Sequence, residues 1–325
     1  HEYVKQYGRF TFQESPFNEV DNAVFSSLAY LDFSDCIEGE EEITIRFLAR
    51  RYFKKNNTQK IRKNPHSIRQ MIETFFLCST VRRYQDIIVH HFRHIINETT
   101  QFQALCFTIA KGTMFVAFEG TDDSMVGWHE DFDMMHTFPI PSQKLAMEYL
   151  NQVITRKYHR VYVGGHSKGG NLAMTACMYL PFWKQHKVKQ IYNNDGPGFR
   201  KEEYESKEFK RIEKKLHVII PESSVIGLLF YHKKDFQVVK SLGRGIYQHD
   251  LSNWLCYGAY FTPGTLTDEA KSQARRFSIC FQKYSYAKKK EFVNILFSLF
   301  KECNMTVFSE VTNPKISKLI RLIHA

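Results

Sequence analysis

The stretch Val161-Tyr162-Val163-Gly164-Gly165-His166-Ser167-Lys168-Gly169-Gly170-Asn171-Leu172-Ala173 decides how the chain is read. Its opening residues are β-branched or aromatic, as in a buried strand, and the run of small residues after Ser167 suits a helix that lies close to a sheet. Between the two stands G-x-S-x-G, at Gly165, Ser167 and Gly169. A sharp strand-to-helix turn at such a motif lifts the serine hydroxyl above the sheet, and the glycines avoid clashes where the backbone is tight. The N–H of the next residue, Lys168, can then point at a developing oxyanion near the positive end of the helix. The motif alone arises by chance in roughly one of ten chains of this length, with Gly and Ser each near ~7%. The strand before it and the helix after it separate a nucleophile from a plain glycine turn.

Outward from this elbow the pattern alternates. Ala104–Ala110 and Met114–Phe118 are short apolar runs separated by Lys111-Gly112-Thr113, a hairpin signal. Residues 142–157 read as an amphipathic helix, 160–164 as a strand, 168–180 as a helix, and 188–192 and 216–220 as strands. Strands alternating with helices imply an α/β fold with a mostly parallel central sheet flanked by helices. Residues 1–98 read as a helical N-terminal layer, with Val20, Val24, Leu28 and Leu31 on one face and Ile68, Met71, Ile72, Phe75 and Phe76 on another. The catalytic core is expected over 99–262 and a helical C-terminal extension over 263–325. No repeat or Pro/Gly linker cuts the chain, so one domain is expected over 1–325.

The 325 residues are 43% hydrophobic and 15% aromatic, which excludes an intrinsically disordered chain. No uncharged apolar run reaches the ~18 to 20 residues of a membrane-spanning helix. The seven cysteines, at 36, 78, 106, 177, 256, 280 and 303, are scattered and hold no C-x-x-C pair, as expected of reduced thiols in a cytoplasmic protein. The first residue is His and not Met, which leaves a removed leader open. The formal charge of +11 raises nucleic acid as a partner. Its distribution does not support one: Arg50, Arg51, Lys54, Lys55, Lys60, Arg62 and Lys63 form a run without an acid, and a weaker basic group spans Arg82 to His94, neither with a nucleic-acid motif. A solvated helical face competes with contact to an anionic membrane surface. No P-loop, dinucleotide fingerprint or metal-ligand cluster stands in the sequence, so no cofactor and no metal are expected.

GHSKGGNLA resembles the GHSLGGALA elbow of class 3, fungal-type lipases, a branch of the α/β-hydrolases. Phe118-Glu119-Gly120-Thr121 resembles that family's F-R-G-T, with Glu119 in place of the Arg, and Trp128 with Asp131 resembles the D-W-x-x-D that follows. The set of Gly120-Thr121-Asp122-Asp123, Gly127-Trp128-His129-Glu130-Asp131, GHSKGGNLA, Asn194-Asp195-Gly196-Pro197-Gly198-Phe199 and Gln248-His249-Asp250 is most similar to a bacterial lipase-like family, over about residues 10 to 300. The resemblance implies an α/β-hydrolase fold, an ester or lipid substrate, and Thr121 as a second oxyanion donor beside Lys168.

A serine hydrolase needs a base for the Ser proton and an acid that fixes the base, in the α/β-hydrolase order Ser, Asp/Glu, His. Nine of the 14 His precede Ser167. Of the five that follow, His186 and His217 fall beside or inside predicted elements, His232 sits among lysines and His324 is terminal; His249, in the loop before Trp254, matches the family's catalytic His in being followed by an aromatic. His166 reads as packing or hydrogen bonding beneath the nucleophile. For the acid, Asp195 ends a predicted strand 28 residues after Ser167 and precedes Gly-Pro-Gly. Class 3 lipases place the acid after the next strand, in a D-x-V-P block, where this chain reads Ser224-Val225-Ile226-Gly227. Asp195 is therefore favoured, as in pancreatic-type lipases, with Glu222 and then Asp250 as alternatives. Residues 225–230 could line an acyl pocket, and the charged stretch Lys201 to Lys215 is a solvated helix or a lid. The resulting expectation is a serine hydrolase with Ser167, His249 and Asp195 as its triad. The competing one is a catalytically degraded relative that binds membranes or proteins, motivated by the missing D-x-V-P aspartate, Glu119 and the basic runs.

Overall fold

The computed structural model describes residues 1–37 and 41–312; His324 and the end of the expected C-terminal extension lie outside the described residues. The strands are β1 (Ile43–Thr44), β2 (Ile88–Ile96), β3 (Gln101–Ala110), β4 (Thr113–Phe118), β5 (Arg160–His166), β6 (Val188–Asn194), β7 (Leu216–Pro221) and β8 (Gln237–Val239). They form one eight-stranded sheet in strictly sequential order. β1 to β4 pair antiparallel, and β4 to β8 pair parallel. The short Lys111-Gly112 turn joins β3 to β4, whereas each parallel pair needs a crossover long enough to hold a helix. The helices Pro141–Val153 and Lys168–Met178 are two of these crossovers.

Alternate residues of each strand feed opposite faces. Ala104, Cys106, Met114, Val116, Phe118, Val161 and Val163 pack beneath Ala146, Leu150, Leu172 and Met174 of the crossover helices. Leu105, Phe107, Phe115 and Ala117 face the N-terminal layer, where Val20, Val24, Phe25, Leu28, Ile72 and Phe75 are buried. A sheet covered on both sides explains why these strands read as continuous apolar runs. With the mostly parallel sheet, its flanking helices and a strand–serine–helix turn at its centre, this is an α/β-hydrolase fold.

Three expectations are corrected. The N-terminal layer is not purely helical, because β2 lies within it. A bulge between His90 and Arg93, with His91 at φ 53°, breaks the two-residue period by which a strand is recognised. The basic group from Arg82 to His94 is not one continuous surface patch, because two of its members are buried. Arg83 is buried against Asp21, which its Nε reaches at 2.8 Å, and His90 is buried with Nε2 2.8 Å from Thr108 Oγ1. The stretch Lys201 to Lys215 is neither one helix nor a free lid. It forms the helices Lys201–Tyr204 and Lys207–Ile212 and a 3-10 turn, and Phe209 and Ile212 are buried in the same core as the Lys168–Met178 helix.

After residue 262 come the helices Asp268–Lys283 and Tyr286–Glu302. The second lies over the helix Met125–Asp133, with Val293, Phe297 and Phe300 packed against Met125, Trp128 and Phe132. Phe308 adds a stacked ring on Trp128, centroids 3.9 Å apart. Among the described residues no helix is long and apolar enough to cross a membrane.

Candidate active site

Ser167 follows β5 at φ 56°, ψ −131°, a conformation that L-residues rarely hold. It persists because the surroundings leave no alternative. The Ser167 N–H donates to the Asn194 carbonyl at 3.0 Å, and the Ser167 carbonyl accepts from Gly170 at 2.9 Å. The helix behind it lies so close to β4 that a Cβ on Gly169 would fall 2.2 Å from the Phe118 carbonyl oxygen. Any side chain there would push the helix off the sheet. The Lys168 N–H, in the first turn of this helix, has no intrahelical acceptor and faces the positive end of the helix dipole.

Asp195 follows β6 and is fully buried. Its Oδ2 lies 2.6 Å from His249 Nδ1. Its Oδ1 accepts from the Ser224 hydroxyl at 2.5 Å and from the Gly227 N–H at 3.1 Å. An ionised carboxylate only accepts, so His249 Nδ1 carries the proton and Nε2 keeps its lone pair. The residue at the class 3 acid position, Ser224, thus supports a carboxylate supplied by the preceding strand. Glu222 is turned elsewhere: its Oε1 accepts from the Thr265 N–H at 3.3 Å. Asp250 caps the next turn, accepting from Ser252 N–H at 2.9 Å.

The His249 loop is tied down at several points. The Trp254 indole N–H donates to the Gln248 carbonyl at 2.9 Å, and Gln248 Oε1 accepts from the Ser223 N–H at 2.8 Å. His166 holds the backbone of His249 itself, with Nε2 2.7 Å from the His249 carbonyl oxygen and Nδ1 2.7 Å from the Tyr30 hydroxyl. A carbonyl cannot donate, so the His166 proton is on Nε2 and Tyr30 donates to Nδ1. Burial, reinforced by the neighbouring His249, holds the His166 pKa well below its ordinary value. His166 therefore stays neutral, although its ring centroid is only 4.3 Å from that of His249.

On the opposite side, the loop after β4 runs directly beside the elbow. A Cβ on Gly120 would fall 2.6 Å from the His166 carbonyl and closer still to the Tyr30 hydroxyl. Thr121 Oγ1 donates to Asp131 Oδ2 at 2.5 Å. The hydroxyl proton is thereby committed to Asp131. Burial pushes the Asp131 carboxyl up to about 6, against the pull of Lys168 and of the Thr121 hydrogen bond.

Beneath these donors is a charge network that the motifs did not reveal. The Lys168 side chain is buried, and Nζ donates to the Gln101 carbonyl at 3.1 Å, to Gln101 Oε1, and to Glu130 Oε2 at 3.3 Å. Glu130 is buried too; Oε2 also accepts from the Gln101 N–H at 3.0 Å, and Oε1 from the Ser142 N–H at 2.8 Å. Glu119 accepts from Gln101 Nε2 at 2.9 Å. Burial, with Asp122 nearby, pushes Glu119 well above the ordinary carboxylate range, and the carboxylate that Lys168 contacts is Glu130. Of the residues that motif reading left without a role, Glu130 lay within a quoted block and Ser224 stood at the class 3 acid position, whereas Tyr30 and Gln101 gave no signal because each acts through contacts distant in sequence.

A family model described as Mbeg1-like matches residues 78–298. The chain belongs to the Mbeg1-like family. The matched stretch holds β2 to β8, Ser167, Asp195 and His249, and excludes Tyr30 and Phe308. No curated protein matches the chain. Among solved structures it is similar to M37 lipase (14% identity over 52% of this chain and 65% of that one, TM-score 0.36). It is also similar to the Rhizomucor miehei lipase–propeptide complex (15%, 46% and 57%, TM-score 0.31). The lipase of Rhizopus microsporus var. chinensis gives 18%, 60% and 70%, with a TM-score of 0.32. The chain spans less than two thirds of the first two of these. The Mbeg1-like chain has the α/β-hydrolase fold described above. Among its described residues no cluster of three or more His, Cys, Asp or Glu is arranged to hold a metal ion.

Proposed function

We propose that the protein is a serine hydrolase that cleaves carboxylic esters through an acyl-enzyme. The observation that carries this reading is the 2.6 Å contact between Asp195 Oδ2 and His249 Nδ1, at the sheet edge where Ser167 occupies its strained turn. In this reading Ser167 Oγ attacks the ester carbonyl carbon while His249 Nε2 takes its proton. The carbonyl oxygen becomes an oxyanion stabilised by the Lys168 and Thr121 N–H groups. The imidazolium passes its proton to the leaving alkoxide, the C–O bond breaks and acyl-Ser167 remains. A water, deprotonated by His249, then releases the carboxylic acid and restores Ser167. Asp195 stabilises the imidazolium, and neutral His166 adds no second positive charge beside it.

The substrate we propose is presented at an apolar or anionic surface. The loop leading to His249 exposes Leu242, Ile246 and Tyr247 (73%, 58% and 73%) together with Lys240 and Arg244, and holds no acid between Asp235 and Asp250. These apolar side chains and cations favour a lipid surface near the site more than the distant run at Arg50–Lys63 does. A fluorophosphonate probe tests the chemistry: wild type is expected to be labelled on Ser167, and Ser167→Ala to lose labelling together with about 10⁴- to 10⁶-fold of esterase turnover. Undiminished activity in that variant would overturn Ser167 as the nucleophile, and an unlabelled wild type would favour the degraded-enzyme reading.

A further inference from the structure

The class 3 pattern has an arginine where this chain has Glu119 and a leucine where it has Lys168. The two departures meet in space. Lys168 carries its oxyanion donor on the backbone and sends its side chain under the site, to Gln101 at the start of β3 and to Glu130. Glu130 belongs to the helix Met125–Asp133, whose next residue, Asp131, holds the Thr121 hydroxyl. It also accepts from Gln101 N–H and from Ser142 N–H at the start of the Pro141–Val153 helix. One buried ion pair therefore joins the segment of each oxyanion donor to the sheet. Relative to the class 3 pattern, the cation stands at 168 instead of 119.

We propose that the Lys168–Glu130 pair is the positioning element of the oxyanion site, fixing the Lys168 N–H and the Thr121 loop relative to each other; this rests on the reading of Ser167 as nucleophile. Both residues act through these donors and neither side chain touches the reacting atoms. A pair that positions donors has a different signature from one that only stabilises. Donors aimed at an oxyanion act on the transition state more than on the bound ester, so their displacement lowers kcat and leaves KM in place. Removal of one whole donor costs about 10² to 10³ in kcat, and displacement of two should cost about 10- to 100-fold.

The test compares wild type, Lys168→Met, and Lys168→Met combined with Glu130→Gln, in the full chain. Tm, kcat and KM for p-nitrophenyl butyrate, and the rate of fluorophosphonate labelling are measured on each. Lys168→Met leaves the Glu130 carboxylate buried without its cation and is expected to lower Tm. The double variant leaves no unpaired buried charge, although the amide at 130 can accept from only one of the Gln101 and Ser142 N–H groups, so it should be more stable than the single variant. The proposal expects the double variant to regain Tm while kcat and labelling stay about 10- to 100-fold low at a KM within about threefold of wild type. Recovery of kcat together with Tm would show a purely structural pair and overturn the proposal. A combined Lys168→Leu and Glu119→Arg chain, which returns the cation to the class 3 position, is expected to recover most of the lost kcat; no recovery in a folded chain would count against the relocation. If the double variant is as active and as readily labelled as a labelled wild type, this inference alone fails. Absence of labelling in wild type would overturn both readings.

Discussion

The triad side and the oxyanion side of the proposed site both depart from the class 3 sequence, but in different physical ways. On the triad side the departure is a transfer of one group. The carboxylate stands one strand earlier, at Asp195, and the old acid position retains a hydroxyl, Ser224, that donates to it. The charge facing His249 is conserved, and its partners are short directional hydrogen bonds. On the oxyanion side the departure is a redistribution of charge in the interior, with the Lys168–Glu130 pair beside Glu119 and Asp131, whose carboxyls burial pushes upward. Directional groups can be relocated one at a time. Buried charges must be exchanged together, since breaking one partner of such a pair typically costs about 3 to 5 kcal/mol.

The largest effect should come from the triad side. Asp195→Asn offers an amide donor to His249 Nδ1 where an acceptor is needed and so favours the wrong imidazole tautomer; the equivalent error in a well-studied triad costs about 10⁴ in turnover. Glu222→Gln is expected to change kcat little, because its carboxylate serves the Thr265 N–H. Steady-state kinetics of the two variants decides between the carboxylates, and a larger loss from Glu222→Gln would move the acid to the later strand. The reciprocal exchange Asp195→Ser with Ser224→Asp returns the acid to its class 3 position, and partial recovery over Asp195→Asn is expected.

A smaller effect isolates the support for the acid. Ser224→Ala removes one charge-assisted hydrogen bond from Asp195 and leaves the Gly227 N–H in place. Bonds of that kind contribute about 1.5 to 3 kcal/mol, so kcat should fall by about 10- to 100-fold. A loss as large as that of Asp195→Asn would mean that Ser224 does more than orient the acid.

The same contrast decides what was legible in the sequence. The elbow could be read because strand, Ser167 and helix are contiguous, and so could the β3–β4 hairpin and the crossover Pro141–Val153. His249 and Asp195 could be singled out by chain order and by the loops they stand in. The network could not: Lys168 and Glu130 are 38 positions apart, Lys168 and Gln101 67 apart, and Tyr30 lies 136 residues from His166. A lysine within a nucleophile motif reads as exposed, since lysines are rarely buried unless paired, and no local pattern announces the partner. β2 was hidden by a bulge and by histidines and an arginine on a strand whose outer neighbour β1 has only two residues.

The smallest expected effect is a pH dependence that tests whether burial penalises charge on the oxyanion side. Burial disfavours the charged form of Asp131 and pushes its carboxyl up to about 6 in the folded protein, against about 3.9 in the unfolded chain. Between these values the folded state binds more protons than the unfolded one. The stability contributed by Asp131 is therefore fully present below about pH 4 and lost as pH rises through about 6. The residue is half-buried and not sealed, so solvent reduces the effect to about 1 to 2 kcal/mol. Asp131→Asn retains an acceptor for the Thr121 hydroxyl and cannot ionise, so its Tm relative to wild type should rise by about 2 to 5 °C between pH 4 and pH 7.5. Thermal unfolding of both proteins across that range measures the difference directly. A difference that is flat with pH would mean that Asp131 is solvated like a surface carboxylate, and the contrast between a directional triad side and a burial-controlled oxyanion side would then rest on Lys168, Glu130 and Glu119 alone.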